Sequence, residues 1–224
     1  MIEPNQRVAD LVLEHSECAA VFQRYRIDYC CSGEMSVADA CEKRGIDLDE
    51  LSAALTKAIE ERSESQGPDL RDLTTPELID YIVNKHHAYL REALPFLEPL
   101  AAKVSRVHGP NEQRLIKLYG IVMGLSDALL PHLEREEEEL FPLLTDADAD
   151  ADKINAELST MHQEHLEVAE LLEAMRETTE DFRLPMSACN SYRTLFTELQ
   201  TLESDILEHV HLETHVLKPR FEAA

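Results

Sequence analysis

PHLEREEEELFPLL, residues 131–144, decides the fold. Upstream and within it, Ile121, Val122, Leu125, Leu129, His132, Glu136 and Leu140 recur every three or four residues, which is the period of one helix face. His132 and Glu136 therefore lie one above the other on a helix and share the apolar stripe. Burying a glutamate among leucines is costly unless a cation pairs with it. The stretch thus reads as a core helix carrying metal ligands.

LEHVHLETHVL, residues 207–217, repeats the arrangement with His209 and Glu213. Two H-x-x-x-E pairs on two helices can each offer one nitrogen and one bridging carboxylate to metals held between them. Four long periodic segments contain these motifs: Pro76 to Val107, Asn111 to Leu144, Lys153 to Thr179, and Ser187 to Leu217. The breaks (HGPN, LTDADADAD, EDFRLP) are short, so neighbours run antiparallel in an up-down four-helix bundle over residues 76–221. Pro95 and Pro131 fall inside the first two segments and predict a bend or break at each. The other two helices bring His87, in KHHAYLREALP, and His165, in MHQEHLEVAELL. His108, in KVSRVHG, is expected to fold over one end of the site as a fifth nitrogen. With Glu136 and Glu213 as bridges, this set meets most of the demand of two octahedral-tending ions. His15, His86, His162, His211 and His215 read as bystanders, although His162, three residues before His165, leaves open a role as an alternative ligand or as a partner of one. Glu137, Glu138 and Glu139 read as a solvated face, and Glu164 as an acceptor for a liganding imidazole's N–H.

Composition agrees with an all-α chain: Ala, Leu and Glu dominate, Gly is low at 6 residues and Trp is absent. A formal charge of −24 excludes nucleic acid and an anionic membrane surface as partners and favours cations. No apolar run spans a bilayer and the start does not resemble a secretory signal, which makes the cytoplasm the expected location.

Residues 1–62 form a smaller helical domain, with segments expected at Gln6 to Tyr25, Ser36 to Lys43 and Leu48 to Glu61, and with Ser36 and Asp47 as caps. RSESQGPDLRDLT, from Arg62, reads as a linker, after which Thr75 caps the bundle's first helix with Pro76 at its first position. The small domain contains YRIDYCCSGEMSVADAC. Cys30 and Cys31 are either small hydrophobes or a thiol pair that does chemistry, favoured if the helix start at Ser36 lowers a thiolate pKa. A disulfide between adjacent cysteines is strained. Cys18, Cys41 and Cys189 read as packing residues.

Taken together, IDYCC, HHAYLREALP, KVSRVHG, HLEREEEELFP, EHLEVAELL and EHVHLETHVL, in this order over nearly the whole chain, resemble the Repair of Iron Centers proteins, di-iron members of the hemerythrin-like group. The resemblance implies metal-binding histidines at His87, His132, His165 and His209, bridging carboxylates at Glu136 and Glu213, and a further histidine at His108. It implies a stress protein holding two iron ions, oxo- or hydroxo-bridged, that repairs iron-sulfur clusters damaged by oxidative or nitrosative stress. By that likeness iron is expected to be supplied to client proteins, or nitric oxide or oxygen to be bound, sensed or reduced at the centre, and a homodimer is consistent with it. Cys30 and Cys31, outside the bundle and beyond a polar linker, are expected on their own chemistry to accept iron leaving the bundle or to engage the damaged cluster. Two departures stand out: Ser32 precedes Gly33 where relatives have two glycines, and Thr214 and His215 follow Glu213 where an asparagine and an aromatic are usual.

Overall fold

The computed structural model describes residues 2–61 and 69–221, so most of the expected linker lies outside the described residues. Among these, ten α-helices account for nearly all regular structure and no strand occurs, only an isolated bridge between Arg7 and Ser36. None of the helices is long and apolar enough to cross a membrane. The described residues fall into two compact units, residues 2–61 and 69–73 with 207–220, and residues 74–206 with 221.

In the first unit, α1 (Val8–Glu14), α2 (Cys18–Arg24), α3 (Val37–Arg44) and α4 (Leu48–Glu60) surround a core of Leu11, Phe22, Tyr29, Leu51 and Leu55. The single helix expected over Gln6 to Tyr25 is two helices, because His15 leaves helical geometry at φ −140, ψ 83. The expected caps are present: Ser36 and Asp47 side chains accept the backbone N–H of Asp39 and Glu50. Gly45 ends α3 in the left-handed region at φ 67, where a side chain is strained.

In the second unit, α5 (Thr75–Ile82) and α6 (Ala88–His108) form the first long helix, α7 (Arg114–Arg135) and α8 (Phe141–Thr145) the second, and α9 (Ala151–Thr179) the third. The fourth, α10 (Asn190–Leu212), begins in this unit, and its last turn belongs to the first. The core consists of successive layers such as Leu90, Leu94 and Leu97 of α6, Val122, Leu125 and Leu129 of α7, Met161, Val168 and Met175 of α9, and Leu195, Leu199 and Leu202 of α10. The cap of α5 is Thr74, one residue earlier than expected, in a capping box with Glu77.

The helices run through Pro95, Pro99 and Pro131. They change their hydrogen-bonding pattern elsewhere, in three five-residue π turns at Val83–His87, Glu136–Leu140 and Glu213–Leu217. Two of these turns are followed two residues on by Pro142 and Pro219, whose missing N–H removes the α-type bond to the carbonyls of Glu138 and His215. Each π turn contains one residue of the candidate metal site.

Candidate metal centre

The π turns re-aim side chains that a regular helix would rotate past the core. His87, Glu136 and Glu213 lie on them, and His132, His165 and His209 on the adjoining helices. All six are at most 2 % exposed. One ligand atom each from His87, Glu136, His209 and Glu213 lies within 4.8 Å of the others, and so does one each from His132, Glu136, His165 and Glu213. The two groups share both glutamates and divide the four histidines in pairs.

Glu136 shows that the cluster fits a cation. Its carboxylate is 1 % exposed and neither oxygen accepts a hydrogen bond. The Nε2 atoms of His87 and His132 stand 3.4 Å from Oε2, beyond a normal hydrogen bond. A buried carboxylate without a donor is expensive, and a divalent ion at this point relieves it.

The outer nitrogens of two histidines are held in matching fashion. His87 Nδ1 donates to Glu137 at 2.7 Å, and Arg91 donates to the same oxygen at 2.6 Å. His132 Nδ1 donates to Glu164 at 2.7 Å, and Arg135 holds that carboxylate too. With Nδ1 carrying the proton, Nε2 presents its lone pair to the cluster. Burial pushes Glu137 and Glu164 up, but their neighbours outweigh it: Arg91 with His87, and His132 with Arg135, hold both carboxylates below the usual range. Glu137 was expected on a solvated face. It fixes a ring orientation instead. Glu164 takes the expected role, toward His132.

His108 does not join the cluster. It ends α6, 21 residues beyond His87 on one helix, about 31 Å at 1.5 Å per residue. Its Nε2 meets Cys189 Sγ at 3.2 Å and its ring lies 5.5 Å from that of Tyr192. Cys189, expected to be a packing residue, is exposed, whereas Cys18 and Cys41 are buried. His162 belongs to neither group. His86 is buried and bonded to Asp205 at 2.8 Å.

Cys30 and Cys31 form no disulfide; the first is buried and the second half-buried. The Cys31 thiol, burial and Asp28 push the Cys30 thiol well above its ordinary range, opposite to the lowering expected from the helix start at Ser36. The first unit also holds two of the expected bystanders: His211 Nδ1 donates to the Tyr29 carbonyl at 3.2 Å, and His215 Nε2 to that of Cys30 at 2.6 Å. Burial, then His215, pushes His211 down to about 3, and burial lowers His215 too.

Comparison with known proteins agrees with this geometry. Residues 78–221 match the hemerythrin HHE cation binding domain, and residues 4–59 match a domain of unknown function, DUF542. The chain is 34% identical over 224 residues, 99% of its length and 100% of the relative's, to the iron-sulfur cluster repair protein ScdA of Staphylococcus haemolyticus. It is 33% identical over 220 residues, 97% of the chain and 98% of the relative, to ScdA of Staphylococcus epidermidis. Against the iron-sulfur cluster repair protein YtfE of Escherichia coli O1:K1 it is 33% identical over 216 residues, 96% of each. With both domains matched and the likeness running end to end, the chain belongs to the family of the iron-sulfur cluster repair proteins ScdA and YtfE, whose larger domain is a hemerythrin-type cation-binding fold.

Proposed function

We propose that this protein repairs damaged iron-sulfur clusters by supplying iron from a two-iron centre held by His87, His132, Glu136, His165, His209 and Glu213. The observation that carries this reading is the sharing of Glu136 and Glu213 by both ligand groups. One ion would then be held by His87 and His209 and the other by His132 and His165, with Glu136 and Glu213 available to both. Imidazole and carboxylate together suit iron. Iron in such a centre is a releasable store, because carboxylates bind the ferrous form less tightly than the ferric. Glu137 and Glu164 orient the rings, Arg91 and Arg135 hold those carboxylates in place, and the burial of the six inner residues keeps bulk water away from them.

The acceptor in this reading is a client protein with a damaged iron-sulfur cluster, the kind of target for which the similar ScdA and YtfE proteins are named. The test is anaerobic transfer from the iron-loaded protein to an aconitase-type enzyme with a damaged cluster, read as recovered acceptor activity and iron lost from the donor. Glu213→Ala, holding less iron, is expected to restore little activity. If the parent restores none while retaining its iron, supply is rejected. A second reading rests on ligand number: two histidines and two carboxylates would leave an octahedral-tending ion short of ligands, so nitric oxide or oxygen would have a place to bind there. Spectral change on adding nitric oxide without loss of iron supports that reading against supply.

A further inference from the structure

The loop after Ile27 is held in an unusual conformation. Along an extended chain adjacent side chains point to opposite faces, which separates neighbouring sulfurs. Here Asp28 Oδ1 accepts the backbone N–H of both Cys30 and Cys31, at 3.0 and 2.9 Å. This folds two successive amides onto one carboxylate in an Asx-type turn. Both thiols consequently lie together: Cys30 Sγ is 3.7 Å from Cys31 Sγ and 3.1 Å from Asp28 Oδ1.

The backbone of the same loop is fixed from its other side. The carbonyls of Tyr29 and Cys30 accept from His211 and His215. Gly33 leaves no space for a side chain, since a Cβ there would stand 2.4 Å from the Tyr29 carbonyl oxygen and 3.0 Å from His215 Nε2. Little reorganisation therefore remains for a ligand of Asp28, Cys30 and Cys31, whose ligand atoms all lie within 4.8 Å of one another.

That spacing has a chemical meaning. Two thiolates on one tetrahedral ion, with metal–sulfur bonds of about 2.3 Å, stand about 3.8 Å apart. The observed sulfur separation is within about 0.1 Å of that value. A disulfide requires the sulfurs to close to about 2.05 Å, against a frame of hydrogen bonds that holds the loop open. Cys30 is 1 % exposed and Cys31 half-buried, so the Cys31 side is the one open to solvent.

We infer that Asp28, Cys30 and Cys31 form a second cation site, separate from the histidine and glutamate groups, for one thiophilic divalent ion of the zinc or ferrous class. The two sulfurs and an Asp28 oxygen supply three ligands, and the fourth position is open to solvent or a small anion. On binding, both thiol protons leave to solvent, the Cys30 hydrogen bond to Asp28 is given up, and no electron is transferred. Three protein ligands with an open fourth position make an exchangeable site rather than a permanent structural one.

Cobalt(II) is a suitable probe, because thiolate ligation adds a charge-transfer band in the near ultraviolet that nitrogen and oxygen ligands do not give. The full-length, iron-loaded protein with reduced thiols is titrated anaerobically, and metal analysis follows the iron. The parent is expected to take up one equivalent with the thiolate band and to keep its iron. Cys30→Ser and Cys31→Ser are each expected to lose the band, Asp28→Asn to weaken binding at least tenfold, and Cys189→Ser to change nothing. Cys31 is half-buried, so its variant is expected to keep its helical circular dichroism and iron content. Absence of the band in the parent overturns the site, as does its survival in the double Cys30→Ser, Cys31→Ser variant. Cobalt uptake with displacement of iron and without the band also counts against it, since that places the ion at the bundle centre.

Discussion

Glu136 and Glu203 are both glutamates buried in the helical bundle, at 1 % and 3 % exposure. Glu203 faces Arg176, which donates from Nε at 2.6 Å and again from Nη2 to the other oxygen. Glu136 has no such partner, only two imidazole edges 3.4 Å away and no hydrogen bond. One carboxylate is neutralised within the fold by a planar cation whose fork matches it. The other is left for something the chain does not encode. Burial alone therefore does not single out a candidate metal ligand; burial without a built-in cation does, and under the proposed two-iron reading that is what separates Glu136 from Glu203.

The sharpest way to break this contrast is to remove the internal cation. Arg176→Leu strands Glu203 in the core and should cost about 3–5 kcal/mol, as loss of one partner of a buried pair does. Guanidinium unfolding of the metal-free protein measures it, and a loss under 1 kcal/mol would mean that Glu203 finds another partner. The matching change at the other site should have the opposite sign. Glu136→Gln removes a poorly compensated carboxylate and is expected to stabilise the metal-free protein by on the order of 1–3 kcal/mol while abolishing iron loading. Destabilisation without metal, together with retained iron, would show that Glu136 is a structural residue like Glu203.

A smaller effect is expected one step outward. Glu164→Gln and Glu137→Gln each leave the six inner residues in place but weaken the hold on His132 or His87. Partners of this kind are typically worth 10- to 100-fold in metal affinity. Competition with a chelator should show that loss in each variant, with unchanged stability when metal is absent. Unchanged affinity in both would make the two glutamates simple surface partners of Arg135 and Arg91.

The sequence exposes the helices and the inner residues because both obey a period. Leu125, Leu129, His132 and Glu136 repeat as a helix face does, and the two H-x-x-x-E pairs stand out against it. Ser36 and Asp47 are legible as caps because capping uses a short acceptor at a fixed place. The π turns are not legible: His87, Glu136 and Glu213 look like ordinary helical positions, and only Pro142 and Pro219 hint at a change in hydrogen bonding. Glu137 sits in a run of four glutamates whose members look alike until the fold sets one beside His87. In the sequence Cys30 is either a small hydrophobe or a thiol that the helix start at Ser36 could activate, and only the fold shows that Cys31, burial and Asp28 push it the other way. What the sequence hides is what depends on contacts between residues far apart in the chain, or on a backbone turn that no single residue type announces.

His108 gives the smallest expected effect and the clearest separation of the two ends of the bundle. Its place in the motif order makes it look like a fifth nitrogen ligand, but one helix cannot put residues 87 and 108 at the same height. At about 31 Å from the His87 end, it contacts Cys189 and Tyr192 instead. His108→Ala should therefore leave iron content, optical spectrum and transfer unchanged. It removes a partly exposed ring contact and should alter stability by no more than about 0.5–1 kcal/mol. His87→Ala, on the same helix, removes a ring that faces Glu136 at 3.4 Å and should lower iron content. Measuring both variants side by side by metal analysis decides which end of the helix holds the metal. Loss of iron in His108→Ala with retention in His87→Ala would place the centre at the Cys189 end and overturn the assignment of all six inner residues.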